Sequence, residues 1–370
     1  MYNNLKENEY YLTKQIITYL GNKRNLLNSI EEEIIKIKKK IKKDKVIFMD
    51  VFSGSGIVSR MMKKHSKLII ANDLELYSKI INSCYLSNYS DFNEEEYLKH
   101  YQIIEKKISK ELIPGIISKN YAPEDDGNIQ KNDRVFYTAK NAKIIDTIRC
   151  EINNIPENHQ KYFLAPLIYS ASVNNNTGGV FKGFYKDSRT GIGKFGGNGE
   201  NALNRITGEI TLLKPIFSNF SCDIEIYKED SNQLVKSIDN LDIAYVDPPY
   251  NQHPYGSNYF MLNAIAENSV SSEISKVSGI PTNWNRSNYN KKQFALKSLS
   301  DLIKNIKSKY IIISYNSEGF IKLTEMREML EKIGELKLKE IKYNTYRASK
   351  NLRNRDLYVT EYLLVLNKEV

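Results

Sequence analysis

The sequence predicts an α/β fold: a mostly parallel, Rossmann-like sheet interrupted by a long, mostly helical insert. Three observations carry this prediction. A β-rich run at 46–52 breaks into a glycine loop and then a helix-compatible stretch. A second apolar run, 68–71, ends in Asn72 and Asp73, and a third, 241–246, runs straight into Asp247-Pro248-Pro249-Tyr250. Short apolar runs alternating with helical patterns are the mark of βα units and a parallel sheet. By contrast, the first part of 77–222 has few strand signals, so this block reads as inserted between two halves of the sheet, 1–76 and 223–370.

The elements follow in order. Ile34, Ile37 and Ile41 recur at helical spacing among the seven lysines of 36–45, which predicts an amphipathic helix with a solvated basic face. Residues 46–56, Val-Ile-Phe-Met-Asp-Val-Phe-Ser-Gly-Ser-Gly, read as a strand and a tight turn, with a helix over 57–64. Gly54 and Gly56 let the backbone approach a ligand where a Cβ would clash. Asp73 falls about 20 residues beyond them, the spacing of a carboxylate that binds ribose hydroxyls. Nicotinamide-dependent dehydrogenases share that spacing, although Ser59 stands where a third glycine or alanine is usual.

In the insert, 94–111 and 141–152 read as helices. The stretch 172–204 is rich in Gly and Asn, with Phe181, Lys182, Phe184, Tyr185, Lys186, Arg189, Lys194 and Phe195 interleaved. It suits a hairpin or loop entering a nucleic-acid groove, where polar side chains read base edges and lysines contact phosphates. A strand at 223–227 precedes Asp230. Residues 251–259 predict a mobile flap in which His253 has no catalytic duty, and 268–292, carrying the only tryptophan, Trp284, reads as a surface excursion that closes on DNA. Lys342, Arg347, Lys350, Arg353 and Arg355 flank Tyr343 and Tyr346 ahead of a strand at 358–366 and read as a phosphate clamp.

The tetrapeptide has its own chemistry. The exocyclic amine of adenine or cytosine is a poor nucleophile, because its lone pair is delocalised into the ring. Two acceptors aimed at its hydrogens draw that pair out. The Asp247 carboxylate takes one N–H, the Pro248 carbonyl takes the other, and Pro248 with Pro249 holds the turn in shape. Tyr250 then stacks on a base that has flipped out of its duplex. Ordinary turns also use Asp-Pro-Pro. None of Cys84, Cys150 and Cys222 follows a proline, which excludes the Pro-Cys nucleophile of cytosine ring-carbon methylation, and their spacing predicts no metal site.

On these residues the chain resembles the Dam-like DNA adenine-N6 methyltransferases. Tyr19-Leu-Gly-Asn-Lys23 is similar to the family's aromatic-x-Gly-Gly-Lys element, with Asn22 in place of the second glycine. Asp50, Phe52, Gly54 and Gly56 match its cofactor loop, and Asp73 and Asp230 match the carboxylates for the cofactor's ribose and adenine. The segments 120–123 and 134–149 resemble its helical recognition segment, and 312–316 the strand beyond its active site. The resemblance implies a class I methyltransferase sheet with an inserted target-recognition domain, 77–222, that carries a β-hairpin. It implies S-adenosyl-L-methionine held by Tyr19, Lys23, Asp50, Phe52, Gly54, Gly56, Asp73 and Asp230, with Asp247, Pro248, Pro249 and Tyr250 as the catalytic group. Double-stranded DNA would be held by Arg134, Lys182, Tyr185, Lys186, Arg189, Arg347 and Arg353. The activity implied is methylation of the N6 amine of an adenine in a short duplex sequence, within a bacterial restriction-modification system and beside a cognate endonuclease. Cytosine-N4 methylation, RNA or protein-glutamine methylation and a catalytically silent DNA-binding module are the alternatives. Asp at 247, where cytosine enzymes more often carry Ser, leans towards adenine.

Composition agrees. The 370 residues suffice for one large or two moderate domains, and a net charge of +10 with a pI near 9.1 suits a polyanionic partner. An AT-rich genome would also encode this abundance of Lys, Asn, Ile and Tyr. With no secretory signal and no apolar run near 18 residues, the expectation is a cytoplasmic monomer with reduced thiols and no membrane partner.

Overall fold

The computed structural model describes residues 6–271, 273–344 and 358–368. Its strands are β1 (Val46–Asp50), β2 (Ser66–Asn72), β3 (Asp223–Tyr227), β4 (Leu241–Val246), β5 (Ser308–Asn316), β6 (Gly334–Asn344) and β7 (Tyr358–Lys368). They form one sheet in the order β3-β2-β1-β4-β5-β7-β6. The first five are parallel, and β7 runs antiparallel to both β5 and β6. The order reverses direction between β1 and β4. In an open α/β sheet a ligand crevice forms at such a point, beyond the carboxyl ends of the strands. The glycine loop after β1 and Asp247 after β4 therefore share one edge.

Helices in chain order are α1 (Leu27–Ile41), α2 (Ile57–Met62), α3 (Leu76–Tyr85), α4 (Glu94–Lys110), α5 (Ile116–Tyr121), α6 (Ala139–Ile152) and α7 (Glu157–Val173). After them come α8 (Leu203–Thr207), α9 (Ser231–Leu234), α10 (Tyr255–Asn258), α11 (Phe260–Glu267), α12 (Lys292–Asn305) and α13 (Leu323–Glu331). Strand side chains alternate between two cores. Phe48, Ile243, Tyr245 and Ile312 pack under α1 and α2, whereas Met49, Ala244, Val246 and Ile313 pack under α9, α12 and α13. As expected, α1 buries Ile34 and Ile37 and keeps Lys36, Lys39 and Lys40 outward or at its rim.

A third core joins α3, α6, α7 and α11. Two residues of the 145–149 motif are its staples. Asp146 accepts N–H bonds from Gly115 (2.8 Å), Ile117 (2.9 Å) and Ser118 (2.8 Å), which fixes the start of α5. Arg149 donates to the Ile265 (3.0 Å) and Ala266 (3.2 Å) carbonyls near the end of α11, whose last carbonyls have no helical partners.

The 172–204 stretch departs from the expected hairpin. Only a single antiparallel bridge, Lys186 to Gly193, closes it. Its glycines weaken a strand, and the side chains at its start bond elsewhere: Asn175 to the Ala171 carbonyl one turn back, Asn174 and Asn176 to the distant Arg205 and Val135 carbonyls.

Candidate active site

The carboxyl edge of the sheet is tied together by Asn72. Its Nδ2 donates to the Val51 carbonyl (3.3 Å), the Glu229 carbonyl (3.1 Å) and Ser231 Oγ (3.3 Å), so the carboxyl ends of β1, β2 and β3 are bonded to one another. The glycine loop is held by Asp73, whose Oδ2 accepts the Gly54 N–H at 2.8 Å and whose Oδ1 accepts the Glu75 N–H at 2.9 Å. Gly54 has a φ of +50°, and a Cβ there would stand 2.8 Å from Tyr19 Cε1. At Gly56, with a φ of +74°, it would stand 2.3 Å from Asn82 Oδ1. Only glycine fits either place.

Beyond this edge lies an open cleft lined among others by Tyr19, Phe52, Asp73, Asp230, Asp247 and Tyr289. Asp230 is exposed and caps α9, its carboxylate accepting the Gln233 N–H at 3.1 Å. Phe52 meets Tyr289 edge-on, with ring centroids 5.2 Å apart, and the Tyr289 hydroxyl donates to Asn232 Oδ1 at 2.8 Å. Burial and the neighbouring Asp73 push Glu75, another wall residue, up to about 7. Asn285 and Asn290 complete this wall, Asn285 donating to Glu75 Oε2 and Asn290 to the Asn251 carbonyl at 2.8 Å. The end of the 268–292 stretch thus closes over the cleft, because its asparagines and Tyr289 find partners there.

Asp247 opens into the same cleft, its side chain 20% exposed. Its Oδ1 lies 3.1 Å from Lys23 Nζ, and that ammonium also lies 2.5 Å from Glu361 Oε1 on β7. Burial pushes the Asp247 carboxyl up to about 7, against the pull of Lys23. Burial opposes the Lys23 charge, but Asp247 and Glu361 outweigh it and hold the ammonium well above its usual range. Lys23 therefore faces the carboxylates beneath the tetrapeptide, while Tyr19 and Gly21 of the same element line the cleft. Asp50 sits under the loop, its Oδ2 accepting from Ser59 Oγ at 2.7 Å. Tyr250 is half-buried and meets Tyr315 edge-on at 6.3 Å.

The second half of the segment after Tyr250 is anchored to the 19–21 element. Tyr255 and Tyr259 both stack against Tyr19, with centroids 4.9 and 5.0 Å from its ring and 6.0 Å from each other. The Tyr255 hydroxyl donates to the Leu20 carbonyl, and the Tyr259 hydroxyl accepts the Leu20 N–H at 2.7 Å. Aromatic stacking anchors 255–259, and 251–253 remains half-buried to exposed.

The D12 class N6 adenine-specific DNA methyltransferase family matches residues 19–329. The chain belongs to that family. It is 31% identical over 360 residues to the Type II methyltransferase M.NlaIII of Neisseria lactamica, covering 95% of this chain and 99% of the relative. Against the Type II methyltransferase M.CviAII of Paramecium bursaria Chlorella virus 1, identity is 30%, covering 94% and 97%. The Type II methyltransferase M.FokI of Planomicrobium okeanokoites is 28% identical and aligns with 95% of this chain over 53% of its own length. The protein is thus an N6-adenine DNA methyltransferase, an enzyme that draws on a methyl donor.

Other predicted contacts of the methyltransferase lie apart from the cleft. Lys182, Lys186 and Arg189 are exposed on the 177–197 loop, and Tyr185 is half-buried against Gly197. Asp187 shapes the loop tip by accepting the Arg189 and Thr190 N–H groups at 3.0 and 2.8 Å. Lys182 Nζ reaches His253 Nδ1 at 3.1 Å, joining this loop to the segment after the tetrapeptide. Arg134 is half-buried and directs its guanidinium to the Asn120 and Lys276 carbonyls, both at 3.4 Å. Arg347 and Arg353 lie outside the described residues. Among the described residues no cluster of His, Cys, Asp and Glu could hold a metal ion, and no helix is long and apolar enough to cross a membrane.

Sequence reasoning missed Glu75, Tyr255, Tyr289, Asn290 and Glu361. For Glu361 a signal existed: a carboxylate inside the apolar run 359–366. Tyr289 and Asn290 carry none, because topology alone brings them to the cleft.

Proposed function

We propose that the methyl donor is S-adenosyl-L-methionine, bound in the cleft between the glycine loop and Tyr289, and that Asp247 and the Pro248 carbonyl hold the amine of a flipped adenine. What supports the donor here is the tight glycine loop, packed so closely on Tyr19 and Asn82 that a Cβ at Gly54 or Gly56 would clash, and the presence of Asp73 and Asp230 in the cleft lining, two acceptors suited to ribose and adenine. When bound, the donor supplies a methyl group on a sulfonium, a good leaving group. The chain does the rest by orientation and exclusion of water. The Asp247 carboxylate takes one amine hydrogen and pulls the nitrogen lone pair out of the ring. Tyr250 offers a stacking surface that offsets part of the cost of unstacking the base. Once methylated, the nitrogen carries positive charge, and Asp247, within reach, accepts the departing proton.

The observation that carries this reading is Asp247 itself, opening at the end of β4 into the cleft that the β1 glycine loop borders, with Lys23 on one of its oxygens. Residues 77–222 are the DNA-recognition part in this reading, with Lys182, Lys186 and Arg189 contacting phosphate and Tyr185 and Arg134 supporting them. The names of the relatives support a place in a restriction-modification system beside a cognate endonuclease. The test incubates the protein with methyl-labelled S-adenosylmethionine and mixed-sequence duplex DNA, then separates the nucleosides. Label in N6-methyladenosine is expected. No label, or label in N4-methylcytosine, overturns the reading.

A further inference from the structure

The ion cluster beneath Asp247 has a member that the reaction above does not use. Glu361 is 1% exposed on β7. A buried carboxylate is costly unless donors surround it, and this one has them. Its Oε1 receives Lys23 Nζ at 2.5 Å and Ser314 Oγ at 2.7 Å, and its Oε2 receives Asn316 Nδ2 at 3.1 Å. Ser314 and Asn316 stand on β5, paired with β7 so that Asn316 faces Glu361 across the ladder. The sheet thus fixes Glu361 independently of Lys23, which arrives from the far N-terminal segment. Lys23 shares itself unequally: 2.5 Å to Glu361 but 3.1 Å to Asp247.

Resting on the reading that Asp247 accepts the target amine, we propose that Glu361 is a positioning residue that holds the Lys23 ammonium back from Asp247, so that the cation steadies one carboxylate oxygen and leaves the other for the adenine N–H. The charged and titratable groups facing Asp247 are Lys23 from the N-terminal segment, Glu361 from β7, Asp50 from β1, Tyr245 from β4, and Tyr250 and Tyr255 from the segment that follows. Lys23 is the one cation in that set. Without the Glu361 charge, the ammonium centres on Asp247. The carboxylate then ionises more easily but is a weaker acceptor, because the cation covers both of its oxygens. Without Lys23, it ionises less easily.

The test is single-turnover methyl transfer from labelled S-adenosylmethionine to duplex DNA as a function of pH. Glu361→Gln is expected to lower the plateau rate about tenfold and to move the acid limb down by about one pH unit, with cofactor affinity by calorimetry within about twofold. Lys23→Gln is expected to move the limb up. Glu361→Asp keeps the charge but withdraws it by one methylene, and is expected to shift the limb as Gln does, less far. It carries the test if the Gln variant melts. A lowered plateau with an unmoved limb in the Glu361 variants reduces Glu361 to a structural residue and overturns the proposal, as do wild-type profiles throughout. If the wild-type enzyme itself labels no adenine, the reading of Asp247 fails. Active wild type with unmoved limbs in the variants removes the role of Glu361 alone.

Discussion

Gly54→Ala tests the cofactor cradle. The added methyl group meets two separate penalties. At a φ of +50° the backbone is left-handed, which costs a non-glycine residue about 1 kcal/mol or more. The new Cβ would also stand 2.8 Å from Tyr19 Cε1 and 3.1 Å from its Cζ and Oη, inside the roughly 3.5–4.0 Å of normal carbon contact. Tyr19 has little freedom to yield, because Tyr255 and Tyr259 both stack on its ring at 4.9 and 5.0 Å and Tyr77 meets it edge-on. The loop must therefore move, stretching the 2.8 Å bond from Gly54 to Asp73, and overpacking of this kind costs about 1–3 kcal/mol. Together these give about 2–4 kcal/mol, shared between the free fold and the bound state. If about 2 kcal/mol falls on binding, affinity for S-adenosylmethionine drops about 30-fold. Calorimetric titration reads this directly, and a melting curve reads the remainder. Tyr19→Ala in the same chain opens the space, so the two changes are expected to be non-additive by about 0.5–3 kcal/mol. Gly54→Ala binding within about twofold of wild type would refute the role of the loop.

Asp247→Asn is expected to cut the methyl-transfer rate about 10²–10³-fold with cofactor affinity unchanged; a wild-type rate would remove Asp247 from the chemistry. Because burial raises its carboxyl to about 7, the wild-type rate is expected to fall as the pH drops below about 7, and the residual rate of the variant to be flat with pH. Asp50 is also pushed up by burial, from 3.8 to about 7, with Ser59 opposing. A raised carboxyl favours the fold below its unfolded value and loses that contribution as the pH climbs through the folded one. Asp50→Asn should therefore raise the melting temperature at about pH 8 and leave it unchanged near pH 4, and an equal shift at both would refute this. Lys182→Ala and Arg189→Ala are each expected to weaken DNA binding and reduce its logarithmic salt slope by about 1. An unmoved slope would return that loop to a plain surface turn.

The sheet was legible because strands buried on both faces are mostly apolar, as 46–49 and 243–246 are. The candidate site residues stood out for a different reason: few residue types suit a nucleotide cradle or an amine acceptor, so type and spacing single out Gly54, Asp73 and Asp247, which the proposed function rests on. Helix α7 was not legible. It is apolar around most of its circumference, so no stripe marks it, and Pro166 inside it argues against a helix. In β6, Leu336 and Leu338 alternate with Lys337 and Lys339, a strand signal obscured by its charge. Glu75, Tyr289 and Asn290 escaped because their roles come from tertiary position and from no local pattern.

The residues proposed for chemistry lie apart from those proposed for DNA contact. Tyr19, Asp247 and Tyr255 all line the cleft proposed for the donor, and the bond from Asn290 to the Asn251 carbonyl ties a wall of that cleft to the segment after the tetrapeptide. On the proposed reading the two reactants would meet across shared, stacked and mutually bonded walls, as a reaction that depends on orientation requires. The raised Asp247 carboxyl has the same origin, since walls that exclude water from the methyl group also withhold it from the carboxylate. Lys182, Lys186 and Arg189 lie instead on an exposed loop closed by one bridge, where side chains can change without disturbing the cleft. The contact between Lys182 and His253 is a direct link between that loop and the segment that follows the tetrapeptide. A charge change at Lys182 should therefore affect both DNA affinity and the rate of base capture, whereas Arg189, at the loop tip, should affect affinity alone.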